Sequence, residues 1–277
     1  MKDRRIEHIS IHKINSGEIN ETEDKVAVEE PLQIQLEYST ASGRMLKNIA
    51  LTMCTPGNDE ELAAGFLFTE GIIKNAQAIS EIKRSAADEN IVQVILKENI
   101  IPALGNAARN FYTTSSCGIC GKASIDAINT VSEFAAQKDS VIINATVLYN
   151  LQDKIKEQQQ VFEDTGGIHA SALFDTSGKF MTLREDVGRH NALDKIIGAA
   201  LMKNELPLNN CMLFLSGRAS FELVQKAVMA GIKVIAAVGA PSSLAVELAK
   251  ENEITLIGFL KKDRFNIYSG KERINLK

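Results

Sequence analysis

The stretch CMLFLSGRASFELVQKAVMAGIKVIAAVGAPSSLAVELAKENEITLIGFL, residues 211–260, decides the fold. Three short apolar runs, CMLFL (211–215), KVIAAV (233–238) and ITLIGFL (254–260), alternate with two segments of helical spacing, FELVQKAVMAG and SLAVELAKE. Apolar runs of that length without polar alternation read as strands buried on both faces, and helices between them imply right-handed crossovers in a parallel sheet. Upstream, back to Asp139-Ser140, lie an apolar GIHASALF segment and a polar amphipathic helix over about 146–160.

Before residue 139 the pattern is different. Leu32, Ile34, Leu36 and Tyr38 alternate with polar residues, as do Ile49, Leu51 and Met53, and STASGR between them supplies turn residues, so a hairpin is expected. TPGNDEELAAGFLFTEGII follows, where Asn58 and Glu61 make a capping-box-like start to a helix over 59–69 with Leu62 and Phe66 at helical spacing. IVQVILK (91–97) alternates again. The expected architecture is an α+β N-terminal roll, residues 1–138, and an α/β C-terminal domain, residues 139–277.

Composition narrows the function classes. With 277 residues, 45% hydrophobic and 24% charged, the chain can form one large or two modest globular domains, and general disorder is excluded. The net charge of −4 provides no global positive field for a nucleic-acid backbone or an anionic membrane. No stretch approaches the ~18 apolar residues of a membrane span, and MKDRRIEHIS has no signal-peptide core. The expectation is a cytoplasmic protein without nucleic-acid or membrane partners.

Two of the four cysteines are paired in SSCGICGKASIDAINTVSEF, which places Cys117 and Cys120 directly before an amphipathic helix with inward positions Ile125, Ile128, Val131 and Phe134. A helix N-terminus and the nearby Lys122 favour thiolate over thiol, the nucleophilic form. Half a zinc knuckle is one reading, but a closed site needs about four ligands and no second CxxC follows. A thioredoxin-type redox pair is another, without the Trp-Cys and cis-proline context. The third is sulfur chemistry with a persulfide as cargo. Cys54 and Cys211, beside apolar strand residues, read as core.

Four segments gather polar and cationic groups at helix starts or strand ends. Ser216-Gly217-Arg218, with Ser220, links a strand to a helix and converges amides, hydroxyls and a guanidinium where phosphate binds. Gly239-Ala240-Pro241-Ser242-Ser243 does the same, with either serine able to cap. REDVGRHNALDK brings Arg184, Asp186, Gly188, Arg189, His190 and Asn191 to a third helix start. The strand ending in Phe259-Leu260 runs into Lys261-Lys262-Asp263-Arg264. Ligands of open α/β sheets bind at that carboxyl edge, and a nucleotide with several phosphates suits such a ring of dipoles and cations. His169 reads equally as a core histidine or a ligand contact.

From about Thr55 to Tyr268 these segments, with TGGIHASALF and SSCGICG, resemble in order and wording the FdhD/NarQ family of sulfurtransferases required for formate dehydrogenase activity. The resemblance implies that the second domain is similar to the cytidine deaminase fold. Zinc deaminases use H-x-E followed by P-C-x-x-C; here the CxxC precedes His169 and Ser171 stands in the place of the Glu, so deaminase chemistry is not supported. What is implied instead is sulfur delivery. A cysteine desulfurase loads a persulfide on Cys117, with Cys120 assisting, and the sulfur passes to a molybdenum or tungsten bis-molybdopterin guanine dinucleotide held as cargo on the four segments. A formate dehydrogenase apoprotein is the client, and a homodimer is the usual assembly. The rival reading is a non-catalytic chaperone that only holds the cofactor.

Overall fold

The computed structural model describes residues 3–86, 88–104, 132–134 and 141–276. Strands β1 (Ile6–Asn15) and β2 (Glu18–Ala27) pair antiparallel through Ser16-Gly17, both at positive φ, the backbone that a two-residue hairpin turn requires. This hairpin has polar residues on both faces, so it carries no apolar alternation by which a sequence reading finds a strand. The expected second hairpin is present as β3 (Glu30–Thr40) and β4 (Gly43–Cys54), in register from Thr40–Gly43 to Glu30–Cys54. With β5 (Ile79–Arg84) and β6 (Ile91–Leu96) it forms a four-stranded sheet of order β4-β3-β6-β5, in which Leu32, Ile34 and Leu36 are buried.

Helix α1 runs over Asp59–Thr69, the expected span, but its start is built differently from a capping box. Asn58 adopts a left-handed backbone and its side chain caps nothing. Asp59 Oδ1 instead accepts from Gly57 N at 3.0 Å, and Glu61 is engaged by Arg184, whose Nη2 lies 2.8 Å from Glu61 Oε1.

In the second half the single helix expected over 146–160 is three short ones, α2 (Ala145–Tyr149), α3 (Leu151–Lys156) and α4 (Gln160–Thr165). The first is capped by Asn144, which accepts from Thr146 N, and the last stops at Gly166 with positive φ. Strand β7 (Ile143–Asn144) pairs with the C-terminal β14 (Ile274–Asn275).

The main sheet has six strands, β8 (His169–Asp175), β9 (Phe180–Asp186), β10 (Cys211–Leu215), β11 (Val234–Ala237), β12 (Thr255–Gly258) and β13 (Asn266–Ser269), in the order β13-β12-β11-β10-β8-β9. Strands β10, β11 and β12 are parallel as expected, but the sheet as a whole is mixed, because β8, β9 and β13 are antiparallel to their neighbours. The physical reason lies at Asp175–Lys179: a connection this short closes a hairpin and cannot cross over to a parallel position. Helices α5 (Arg189–Met202), α6 (Phe221–Met229) and α7 (Ser243–Glu251) share a core with one sheet face, and α2 and α3 with the other.

The larger core draws side chains from both sides of residue 139, from Leu32 and Leu67 to Leu213 and Leu256. Its tightest seam is α1 on α5. A Cβ on Gly65 would overlap the Asp194 carbonyl oxygen and one on Gly198 that of Glu61, so the two backbones touch only because both residues are glycine. Phe134, expected to point inward, packs on this core beside Gly231. Residues 105–131, with Cys117, Cys120, Ile125, Ile128 and Val131, lie outside the described residues.

Candidate functional site

Parallel strands that end together bring the loops after them together. β10, β11 and β12 end at Leu215, Ala237 and Gly258 on one edge of the sheet, and because β8 is antiparallel to β10 its first residue, His169, lies on that edge too. His169 pairs with Asp186, so β9 also ends there and α5 begins there. The four segments read from the sequence are therefore neighbours in space.

Backbone hydrogen bonds tie the loops to one another. Ser216 exchanges bonds with Ala170, its N donating to the carbonyl at 3.0 Å and its Oγ accepting from Ala170 N at 2.8 Å. Gly239 N donates to Gly217 O at 2.9 Å, Ser242 N to Ala219 O at 3.0 Å, and Phe259 N to Gly239 O at 3.2 Å. A side chain at Gly239 would press on the Arg218 backbone at 3.0 Å, which is why this nested arrangement needs a glycine there. Ser242, rather than Ser243, caps α7 by accepting from Ala245 N. Pro241 and Ala240 close the turn through the bridge between Ala219 and Pro241.

The side chains divide into two groups. Asp186 is fully buried and belongs to the scaffold: it pairs with Lys195 at 2.7 Å, and it accepts from Thr55 N, Gly188 N and Asn191 Nδ2. Burial pushes the Asp186 carboxyl up from its ordinary range, and Lys195 opposes that shift. Asn191 donates to Met53 O at 2.8 Å, which fastens the end of β4 to the start of α5. Arg184 faces Glu61 and lines a different cleft of about 400 Å3 along β9, away from the loops. His190 Nε2 meets Glu222 Oε2 at 2.8 Å and Ser220 Oγ at 3.3 Å, linking the starts of α5 and α6.

The second group faces outward at the edge. Arg218, Lys261 and Arg264 are exposed and make no side-chain ion pair among the described residues, whereas Lys262 pairs with Asp153 at 2.8 Å. Asp263 is exposed beside them, and Phe259 is exposed at a positive φ, while Leu260 is buried and its carbonyl accepts from Gln152 Nε2 at 2.7 Å. His169 is half-buried; burial first, then the charges of Arg189 and His190, hold its pKa below 6.5. Its imidazole packs on Gly217, where a Cβ would meet it at 3.4 Å.

Between these loops and α3–α4 opens a cleft of about 520 Å3, in the range of small-molecule sites. His169, Ser216, Val238 and Lys261 line it from the sheet edge, and Gln152, Lys156, Gln159 and Phe162 from the helices. Those helical residues were missed in the sequence, where Gln152, Lys156 and Gln159 fell within a polar amphipathic helix over about 146–160 and Phe162 lay beyond its expected end. Among the described residues no group of three or more His, Cys, Asp or Glu is placed to hold a metal ion, and no helix is long and apolar enough to cross a membrane. Cys54 and Cys211 are buried as expected, and burial raises both thiols, Cys54 far above its ordinary range, which keeps them unreactive.

Comparison with known proteins agrees over almost the whole chain. Residues 27–275 match the model of the FdhD/NarQ family. A sulfur carrier protein FdhD from Mycolicibacterium paratuberculosis is 45% identical over 98% of this chain and 97% of its own length. One of the same name from Sulfurisphaera tokodaii is 40% identical over 98% and 99%. Among solved structures, a protein from Desulfotalea psychrophila described as a formate dehydrogenase accessory protein superposes with a TM-score of 0.74 at 25% identity, covering 98% of this chain and 99% of that one. A match of this length and identity leaves one assignment: the chain belongs to the FdhD/NarQ family.

Proposed function

We propose that the protein is a sulfur carrier for formate dehydrogenase maturation, a sulfurtransferase that receives sulfur as a persulfide on Cys117 and delivers it to a molybdenum or tungsten bis-molybdopterin guanine dinucleotide bound as cargo. The observation that carries the reading is the convergence of loops 216–220, 239–243 and 259–264 with the start of α5 at one edge of the sheet, where Ser216, Lys261 and His169 line the 520 Å3 cleft. Exposed Arg218, Lys261 and Arg264 and the amides between them suit the diphosphates of such a cargo. The names of the relatives support the sulfur-carrier role. Cysteine desulfurase as donor, the formate dehydrogenase apoprotein as client and a cytoplasmic homodimer complete the reading, with the second half taken as a variant of the cytidine deaminase fold.

The chemistry balances on this chain's two thiols. The Cys117 thiolate attacks the outer sulfur of the donor's persulfide, so an S–S bond forms on Cys117 while the donor's breaks and the donor leaves as a thiolate. For delivery, the Cys120 thiolate attacks Cys117 Sγ. A Cys117–Cys120 disulfide forms, and the outer sulfur departs as sulfide with the electron pair of the broken bond, to be taken up by the metal. Two thiolates are oxidised as one sulfane sulfur is reduced, so each turnover requires a dithiol reductant to reset the pair.

Mass spectrometry after incubation with a cysteine desulfurase and cysteine tests this. An adduct of about 32 Da, one sulfur on a reactive thiolate, is expected on the unaltered protein and on Cys120→Ala but not on Cys117→Ala. Cys120→Ala is expected to hold the adduct without releasing sulfide. Cofactor binding with no adduct under donor turnover would make the protein a holder of the cofactor instead.

A further inference from the structure

The first hairpin uses only one side of β1. Its two-residue turn makes Asn15–Glu18 a hydrogen-bonded pair, and the antiparallel ladder alternates from there, so the odd-numbered residues of β1 bond to β2. The bond from Val28 N to Arg5 O, one step beyond the Ile6–Ala27 pair, keeps that parity. The N–H and C=O groups of His8, Ser10, His12 and Ile14 therefore point away from β2, along an edge that carries no third strand among the described residues. From Glu7 to Asn15 every residue is exposed except the half-buried Ile11. Two strands by themselves are marginal in water, and a third or fourth makes such a sheet stable. The sequence along this edge, IEHISIHKI over 6–14, reads the same in both directions except that Lys13 answers Glu7. An antiparallel strand of identical sequence meets that pattern residue for residue.

We propose that β1 is the edge by which two copies of this chain join, antiparallel about a two-fold axis at Ser10, into one four-stranded sheet of order β2-β1-β1-β2. It rests on the proposed function only in taking the assembly to be a homodimer. About that axis Ser10 faces its own counterpart and His8 faces His12 of the partner subunit, and the outward backbone groups of these residues bond to one another. On the opposite face Glu7 meets Lys13 of the partner subunit and Ile9 meets Ile11 of the partner subunit, in the non-hydrogen-bonded positions where side chains come closest. Ion pairs thus close both ends of a cluster of isoleucines. Glu7 and Lys13 are exposed and make no other ion pair among the described residues. Other registers lose this match. An axis at His8 sets Glu7 opposite Ile9, an axis at His12 sets Lys13 opposite Ile11, and a shift of one residue turns toward the partner the backbone groups that already bond to β2. Strand β2 is unsuited to the same role, because Glu18, Glu21, Glu23 and Asp24, with Lys25 alone to offset them, would face like charges in a second copy.

Light scattering of the full chain on size exclusion, with sedimentation to give the affinity, tests the contact. The unaltered protein should assemble, and Ser10→Pro should halve the mass of the assembly, since proline removes an N–H that the hairpin leaves unused and the axis requires. Glu7→Lys and Lys13→Glu should each weaken association about tenfold, because like charges then face each other on both sides of the axis. An equimolar mixture of these two variants should regain the unaltered affinity, since each mixed dimer restores both ion pairs. A monomeric unaltered protein would overturn the homodimer and this contact together. An assembly that none of the substitutions alters would overturn this contact alone and assign the homodimer to another surface. Weakening in both charge variants without recovery on mixing would mean damage to the hairpin rather than pairing across an axis, and would overturn the contact as well. No readout involves sulfur, so the adduct on Cys117 stands or falls separately.

Discussion

His169 is the residue at which burial and charge meet beside the proposed cargo site. Half-buried and facing Arg189 and His190, it binds a proton less readily in the folded chain than in the unfolded one. A histidine with a depressed folded pKa contributes stability that is fully present above its unfolded value and is lost as pH falls through the folded one. Urea midpoints measured from pH 7.5 down to about pH 5 should therefore decline on the acid side of 6.5, and His169→Gln should flatten that decline. An identical acid decline in the variant would move the responsible group elsewhere. In the sequence this histidine read equally as core or ligand contact, because a single side chain in TGGIHASALF does not reveal that β8 runs antiparallel to β10 and so begins at the edge where β10, β11 and β12 end. Arg184 was placed with the phosphate loops for the complementary reason: its partner Glu61 is 123 positions away.

At the scale of elements, the fold was most legible where one segment carries its own signal. Asp59–Thr69 and Cys211–Leu215 have the expected bounds because their apolar residues are buried by neighbours that demand no unusual backbone. Segment 146–160 misled because its amphipathic spacing continues through Asn150 and Gln158–Gln159, where the backbone turns to let α3 and α4 wall the cleft. The α1–α5 seam gave no sign either, since a glycine inside a helical pattern does not say which helix will touch it. It makes a sharp prediction. Gly198→Ala puts a methyl group against the Glu61 carbonyl, and separating two helices in a packed core should cost about 1–3 kcal/mol. Because α5 also carries Gly188–Asn191 to the sheet edge, the variant should lose pyrophosphate affinity together with stability; a loss of neither in denaturant titration and calorimetry would show that the seam yields freely.

For the molecule as a whole, composition and alternation pointed to two units divided near 139, and the structure adds a polar connection between them. Asp194 on α5 accepts from Thr69 Oγ1 of α1 at 2.8 Å and pairs with Lys226 of α6 at 2.8 Å, all three being buried. Lys226 also reaches Glu70 at 3.4 Å, so one ammonium joins both halves of the chain. Asp186, through Thr55 N and Lys195 to Thr55 O, makes a second such tie next to the edge where β10, β11 and β12 end. Buried charges of this kind are costly to separate, because opening the seam exposes Asp194 and Lys226 to each other's loss as well as to water. The consequence is that the halves should unfold together. Urea unfolding followed by far-ultraviolet circular dichroism and by tyrosine fluorescence is expected to give coincident single transitions. Lys226→Met, which leaves the Asp194 carboxylate buried without its cation, should shift both probes alike by about 3–5 kcal/mol. Two resolved transitions, with only one of them moved by the substitution, would mean that the seam is a contact between independent domains, and that the proposed cargo site can form without the sheet that precedes it.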